Sequence, residues 1–359
     1  MRSAKWADMK PMKKLTDKKK LLRLTLQSLP IALAAIVFFI YASTFMPLSA
    51  ERMERSVALV ESVSHYELLA DGKPVAFFSN ISDSLQPEGL SLSAGQDVAV
   101  KTYATACWVN RWPLLPSCNG MLLTANSDSA AEKRLAAANR KMPEIIRKAI
   151  EYTRTRVELL DRTIEETGYY MKTHNVNDDG YNTIAEYAAG LEQRKAKAEK
   201  LLSALTAASK RKQTAIRLVT EYTVISKDTA GKTLRTPCSV LTPDRTKPLR
   251  LLQTADRTTP TGAVPLYLHQ WLTPQLDRGD SIATAAYPGC QLSNYRPDKA
   301  RTQVSDGNVA GKDSIDVPPV LAPDGSPVFT SYGRLAGISI GGKVAKPGVA
   351  GFGLNNLLP

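Results

Sequence analysis

The pattern of apolar and polar residues divides the chain into segments of different periodicity. Residues 24–50 contain no charged residue, and their centre is about 20 residues of apolar sequence, the length of a helix that crosses a bilayer. Residues 57–105 and 218–345 show short apolar runs separated by turn-forming residues, which is typical of strands. Residues 130–217 are rich in Ala, Lys, Glu and Leu instead, and their apolar positions follow a helical period.

The helical region predicts two antiparallel helices of about 30 residues, each about 45 Å long. Pro143 predicts a helix start or a kink, Asp179-Gly180 predicts a turn, and Thr183 with Glu186 forms a capping box that would begin the second helix. A heptad seam runs along the first helix through Ile146, Ile150, Thr153, Val157, Leu160 and Ile164. The simplest interpretation is that the two helices pack on each other, and the alternative is a protruding arm that binds a partner.

The apolar runs on either side of the helices predict a β-domain. Two runs flank Asp71-Gly72, which is a hairpin signal. A short apolar strand follows at Met121–Thr124. Beyond residue 218, runs separated by Pro, Gly and Asp recur at a spacing that favours a barrel or a sandwich.

The net charge of +13 would suit a nucleic-acid-binding protein, but its distribution argues against that class. Residues 1–23 hold nine Lys or Arg against two Asp, a net +7 that is more than half of the total. A basic flank before an apolar span predicts a cytoplasmic N-terminus that also meets anionic lipid headgroups. A cleaved signal peptide ending at Ala50 is the alternative, although the apolar run exceeds the length of an ordinary signal core. Either interpretation puts residues 51–359 outside the cytoplasm.

An oxidising compartment permits disulfides among the four cysteines, which allow three pairings. The simplest pairing joins Cys107 to Cys118, because the ten residues between them suit neighbouring strands. Only three histidines occur, at 65, 174 and 269, and no CxxC is present. We therefore predict neither a metal site nor a cofactor.

Several short motifs occur in the same order as in one family of enzymes. "GMLLTANS" (120–127) resembles the strand that ends in the catalytic histidine of trypsin-like serine peptidases. "PLRLLQ" (248–253) resembles the strand that begins with their aspartate, and "LDRGDSIATAAYPG" (276–289) resembles the strand that opens their second barrel. "DGSPVF" and "SYGRLAGI" (324–338) resemble the end of the nucleophile loop and its hairpin, and the tail "GFGLNNL" resembles their last strand. The chain thus resembles trypsin-like peptidases of the membrane-anchored bacterial type over about 57–127 and 218–357.

The resemblance implies a trypsin-like double β-barrel with a helical-hairpin insertion and an N-terminal transmembrane helix. The expected segments are a basic cytoplasmic tail (1–23), an anchor (24–50), the first part of the β-domain (51–129), the insertion (130–217) and the remainder of the β-domain (218–359).

The same register implies that all three catalytic positions are changed. Ser127 stands in place of the histidine, Pro248 in place of the aspartate and Asp324 in place of the nucleophile, and the oxyanion loop contains Ala322, Asp324 and Gly325. Serine is no general base near neutral pH, proline has no carboxylate, and an aspartate would repel a developing oxyanion. The resemblance therefore predicts an inactive peptidase fold that binds or scaffolds a peptide or protein partner.

Two other functions are compatible with parts of this pattern. A membrane-fusion adaptor of an export system also combines an N-terminal anchor, β-segments and a helical hairpin, but it would have two half-lipoyl motifs instead of two barrels. The third hypothesis is an active serine hydrolase with a displaced site, although the sequence motifs place no general base beside another serine.

The anchor generates a first testable prediction. Because the apolar span is long and its flank is basic, the mature protein should keep residues 1–50 and sediment with membranes after alkaline carbonate extraction. N-terminal sequencing of the mature chain measures this directly. A mature chain that begins at Glu51 would show a cleaved signal peptide and refute the anchor.

Overall fold

The computed structural model describes residues 29–38, 47–110, 119–126, 129–227, 232–241, 248–267 and 274–346. Residues 29–38 form helix α1, and within the described ranges no helix is both long and apolar enough to span a bilayer. Residues 24–28 and 39–46 of the predicted anchor lie outside these ranges. In chain order the further elements are α2 (Ala50–Glu54), β1 (Val57–Ala70), β2 (Lys73–Phe78), β3 (Asn80–Ile81), β4 (Pro87–Glu88), β5 (Val100–Asn110), β6 (Met121–Ala125), α3 (Ser129–Arg140), α4 (Met142–Thr173), α5 (Tyr181–Ser209), β7 (Thr214–Lys227), β8 (Thr233–Val240), β9 (Leu249–Thr254), β10 (Leu266–Tyr267), β11 (Ser281–Ala286), β12 (Gln303–Gly311), β13 (Ser314–Ile315), β14 (Pro327–Thr330), β15 (Leu335–Ile340) and β16 (Lys343–Ala345).

The first barrel consists of six antiparallel strands in the order β1-β5-β6-β9-β8-β7, and β7 pairs with β1 to close the ring. Its interior is filled by alternate residues of each strand, such as Val60, Trp108, Leu122 and Leu252. Because each of these side chains is buried, the apolar alternation seen in the sequence marks the inward face. "GMLLTANS" and "PLRLLQ" supply neighbouring strands of this barrel, β6 and β9.

The second barrel has the order β11-β12-β13-β16-β15-β14 and is also closed. In both barrels the sequential strands are therefore arranged first, second, third, sixth, fifth, fourth. This repetition confirms the predicted trypsin-like double barrel, and it is not the pair of half-lipoyl motifs that an adaptor would have. The sixth strand of this barrel is β16, and the tail "GFGLNNL", which the resemblance likens to a last strand, lies outside the described residues. Residues 347–359 lie outside the described ranges.

The long strand β1 belongs to the first barrel for half of its length and extends beyond it for the rest. Residues 57–64 pair with β5, whereas residues 66–70 pair with β2 through the turn at Asp71-Gly72. Both turn residues have positive φ, 50° and 78°, as a tight hairpin turn requires. The strand pairs with β7 along residues 59–70, so the β1–β7 ribbon carries a small sheet beyond the barrel.

The helices are inserted between β6 and β7, as predicted, and they are three in number because α3 precedes the two long ones. The side chain of Asn139 fixes α3 to β7, since its amide group exchanges hydrogen bonds of 3.1 and 2.8 Å with the backbone of Ile216. The insertion ends before residue 217, because β7 begins at Thr214. The seam of α4 is buried or half-buried throughout its length, which confirms that α4 packs on α5.

Two predicted helix boundaries have different outcomes. Helix α4 begins at Met142 with a proline in its first turn, as predicted. Helix α5 begins at Tyr181 and not at the capping box of Thr183 and Glu186. Gly180, at φ 86°, already redirects the chain into the helix, and no side chain caps this terminus. The predicted capping box is therefore wrong.

The described cysteines do not support the predicted disulfide. Cys107, Cys238 and Cys290 are free thiols, and Cys118 lies outside the described residues. The side chain of Cys107 points into the apolar core between the barrels, where burial raises the pKa of its thiol to about 12. Cys107 therefore acts here as a small apolar core residue.

The two barrels share one core, in which Leu123 and Leu251 of the first barrel meet Phe329 and Ile338 of the second. Phe329 and Ile338 have no exposed surface. Burial of such side chains stabilises by about 1.5–3 kcal/mol each, so this shared core fixes the relative position of the barrels.

A second prediction concerns this shared core. Phe329→Ala should lower the free energy of unfolding by about 3–5 kcal/mol, because it removes a fully buried ring and leaves a cavity. Urea denaturation followed by tryptophan fluorescence measures the change. Tyr332→Ala is the matched control, since this ring lies three residues away and is 74% exposed, and it should stay within about 0.5 kcal/mol. Equal effects of the two substitutions would contradict the shared core.

Candidate functional site

Asp324, at the predicted nucleophile position, lies in the loop between β13 and β14. Its Oδ1 accepts a 2.7 Å hydrogen bond from the backbone N–H of Gly341, in the turn between β15 and β16. The carboxylate therefore stabilises a turn of its own barrel. A nucleophile needs an adjacent base, and this side chain is engaged as an acceptor instead.

Ala322, whose amide is predicted as the first oxyanion donor, is part of the core of the second barrel. Its side chain packs with Val317, Val328 and Val344, and the residue is 2% exposed. Its N–H donates a 3.0 Å hydrogen bond to the carbonyl of Pro318 within the same loop. An oxyanion hole needs donors aimed at the reacting oxygen, so the hydrogen bond inside the loop uses the donor that catalysis would require.

Gly325 brings this loop directly onto the first barrel. A Cβ at this position would lie 1.9 Å from the carbonyl oxygen of Thr105 on β5 and 2.7 Å from Oγ1 of Thr124 on β6. Its φ is +92°, and its N–H donates to the carbonyl of Ser339 at 2.9 Å. Only glycine fits both the backbone conformation and the space. The loop that contains Asp324 therefore rests on the strand that leads to residue 127.

Pro248, at the predicted aspartate position, lies beside the end of the same strand. Its carbonyl accepts a 2.8 Å hydrogen bond from the N–H of Asn126. Ser127, the next residue, lies outside the described residues. The structure thus brings Pro248 to the end of β6 and the Asp324 loop against β6. The meeting of all three positions in one cleft stays a prediction.

A loop of which the sequence motifs include only the first three residues, 287–289, covers this region. Residues 287–302 connect β11 to β12. The side chain of Cys290 is buried, and its Sγ lies 3.8 Å from Oγ1 of Thr105. The N–H of Tyr287 donates to the same hydroxyl at 3.2 Å. Burial, together with the nearby negative charge of Asp324, raises the pKa of Cys290 to about 11. The thiol is therefore protonated near neutral pH, whereas a reactive cysteine needs a lowered pKa. Its only sequence signal is the Tyr-Pro-Gly-Cys run directly after β11.

A buried carboxylate holds the first barrel against this loop. The carboxylate of Glu61 on β1 accepts a 2.9 Å hydrogen bond from the hydroxyl of Tyr103. It also forms an ion pair with the guanidinium of Arg235. Burial by itself would raise the pKa of Glu61, but the hydrogen bonds from Arg235 and Tyr103 outweigh it and hold the pKa below its usual range. The ring of Tyr103 then packs on that of Tyr295, with centroids 5.5 Å apart.

Two adjoining clefts open beside the first barrel, each lined in part by the 287–302 loop, with volumes of about 370 and 300 Å³. Glu54, Ile225, Ser226 and Tyr287 line both clefts. Arg301 adds a cation to the larger cleft and Arg55 adds one to the smaller. These clefts combine apolar walls with polar groups, a composition that suits binding. Among the described residues no group of three or more His, Cys, Asp or Glu is placed to hold a metal ion.

Comparison with known proteins yields distant structural neighbours only. No family model matches the chain, and no curated protein sequence matches it. The crystal structure of Deg5 aligns at 11% identity and TM-score 0.30, covering 80% of each chain. The HtrA-type protease AlgW with a decapeptide aligns at 11% identity and TM-score 0.29, covering 82% of this chain and 60% of that one. The MamO protease domain from Magnetospirillum magneticum aligns at 20% identity and TM-score 0.25, over 34% and 68% of the two chains.

A third prediction tests the close approach at Gly325. Gly325→Ala should destabilise the protein by several kcal/mol. The new Cβ would overlap the carbonyl oxygen of Thr105, and alanine would also have to adopt a positive φ. Gly279→Ala is the matched control, since Gly279 has nearly the same φ, +91°, with no atom within 4 Å. The control should cost about 1 kcal/mol from backbone strain alone. Thermal unfolding that shows equal losses for the two variants would argue against a loop seated on β5 and β6.

Proposed function

We propose that this chain is a catalytically inactive relative of trypsin-like peptidases, anchored in a membrane, that binds or scaffolds a peptide or protein partner outside the cytoplasm. The observation that carries the proposal is the hydrogen bond from the Ala322 amide to Pro318, at the position where catalysis would need a free oxyanion donor. A fold can persist after its chemistry is lost, because scaffold and site are separable.

The other groups near the relict centre support the same conclusion. Asp324 is engaged by the Gly341 amide, and Pro248 offers no side chain that could orient a base. The described histidines lie elsewhere, His65 on β1 and His174 directly after α4, while His269 is outside the described residues. This arrangement disfavours an active hydrolase with a displaced site.

The membrane anchor and the extracytoplasmic location rest on the sequence. The net +7 of residues 1–23 and the uncharged span 24–50 favour a cytoplasmic N-terminus. Binding is the role that remains for the folded part. The clefts between the first barrel and the 287–302 loop, and the long helical arm, are the surfaces that we assign to it.

A fourth prediction tests the loss of activity. The purified protein should neither cleave peptide substrates nor react with a serine-directed fluorophosphonate, because the described residues place no base at the predicted catalytic positions and the Ala322 amide is engaged by Pro318. In-gel fluorescence beside an active trypsin-like protease at equal concentration measures this. Heat-denatured protein controls for nonspecific labelling. Strong labelling of the native protein that disappears when one serine is changed to alanine would establish an active hydrolase instead.

A further inference from the structure

The outer part of the helical arm has no packing partner within the described chain beyond its own two helices. Near the barrel, α4 and α5 share a core with β1, β2 and β7 that includes Ile145, Ala149 and Leu205. Beyond Thr153, no residue of α4 is buried. At 1.5 Å per residue the 32 residues of α4 extend about 48 Å, so more than half of the arm stands in solvent.

Charge is segregated along this arm. The tip, residues 158–192, carries eight acidic and two basic side chains, a net −6. The base, residues 142–157 and 193–212, carries eleven basic and three acidic side chains, a net +8. The tip and the base of the arm therefore carry opposite net charges. Because opposite potentials attract across an interface, the tip of one arm can attract the base of another.

One side of α4 shows this reversal within a single row of residues. Arg147, Arg154, Glu158, Glu165 and Tyr169 lie within about 60° of one another around the helix axis at 3.6 residues per turn. All five are exposed, and the ring of Tyr169 is the most exposed large apolar group of α4, at 71%. We call this row the α4 outer row. It runs from basic near the barrel to acidic and aromatic near the tip.

The basic end of the row borders a cleft of about 680 Å³ between α4 and the start of β7. Pro143 and Ile150 give it apolar surface. Its charged lining is mainly basic, with one carboxylate, Glu151, against Arg147, Arg154, Arg211 and Lys212. An aromatic ring suits such a cleft, because it buries apolar area and its face attracts cations.

We propose that the α4 outer row pairs with the same row of a second copy of this chain, antiparallel, about a two-fold axis that crosses the row at the axial level of residue 156. In this register Arg147 faces Glu165 of the second copy, and Arg154 faces its Glu158. Tyr169 of the second copy falls opposite Pro143 and enters the basic cleft. The symmetry repeats every contact, so four ion pairs and two seated rings form together.

The register also brings Glu151 opposite Asp161, which are like charges. Asp161 is already paired with Lys195 of its own chain at 2.5 Å. Glu151 shares the guanidinium of Arg147, 3.3 Å away, with Glu165 of the second copy. A second copy fits this row better than another partner does, because the row carries both signs in an order that complements itself when inverted. A purely basic or purely acidic partner would match only one half and be repelled by the other.

Sedimentation velocity of the purified full chain in detergent, corrected for bound detergent, tests the pairing. We expect a concentration-dependent dimer that weakens when salt rises from about 0.05 to about 0.5 M, because exposed ion pairs are screened. This pairing is independent of the loss of catalysis, so a negative fluorophosphonate result has no bearing on it. A chain that stays monomeric at all concentrations, or a dimer insensitive to salt, would overturn the proposal.

Charge reversal makes the test specific to the row. Glu158→Lys with Glu165→Lys, and separately Arg147→Glu with Arg154→Glu, should each raise the dimer dissociation constant at least about tenfold. An equal mixture of the two double variants should recover dimers, since every pair then has opposite charges again. Recovery in the mixture also shows that both variants are folded.

The matched control places the same charge change elsewhere on the tip. Glu166→Lys with Glu186→Lys alters two exposed carboxylates that lie off the row, and it should leave the dissociation constant within about twofold. If this control weakens the dimer as much as Glu158→Lys with Glu165→Lys does, or if mixing fails to restore dimers, association does not use the α4 outer row.

Discussion

The antiparallel ladder between β1 and β7 is the constraint on which the rest of the structure depends. It joins residues 59–70 to residues 214–225 in one unbroken register, from Leu59 with Ile225 to Ala70 with Thr214. Its first half closes the first barrel, and its second half leaves the barrel and forms the platform on which α3, α4 and α5 pack. Because one ribbon serves both purposes, the arm is tied to the barrel by backbone hydrogen bonds as well as by side-chain contacts. The direction of the arm is therefore set by the twist of a β-sheet.

The polar groups around Asp324 are engaged in hydrogen bonds that hold the loops of the structure together. In an active site, amides and carboxylates must stay available for a substrate, which leaves polar groups waiting for partners. Here the Ala322 amide bonds to Pro318, the Asp324 carboxylate bonds to the Gly341 amide, and the Thr105 hydroxyl receives the Tyr287 amide. Each of these bonds contributes modestly, about 0.5–1.5 kcal/mol. Together they tie the loops of the second barrel to one another and to the first barrel.

Features that depend on residues close together in the sequence were predictable, whereas features that depend on distant residues were not. The hairpin at Asp71-Gly72 and the seam of α4 were predictable because a turn and a heptad are encoded within a few residues. The motif order predicted two barrels, and β6, β9, β11, β14 and β15 lie where those motifs are. The start of α5 was misplaced because the left-handed Gly180 overrode a side-chain cap. Three features depend on residues far away in the sequence. They are the burial of Cys107, the identity of β16 as the sixth strand and the position of the 287–302 loop. No local pattern in the sequence indicates those distant residues.

The identical strand order of the two barrels means that they obey one internal pseudo-symmetry of connectivity. Under that symmetry, the link between the third and fourth strands of the second barrel, residues 316–326, is the counterpart of the link between β6 and β7, residues 126–213. One link has 11 residues and contains Asp324, and the other has 88 and forms the arm. Closure entropy rises only slowly with loop length, by about 0.6 kcal/mol per doubling, so the same position accommodates both. The architecture thus offers two equivalent places for elaboration: one holds a short loop that contains Asp324, and the other holds the insertion that forms the arm.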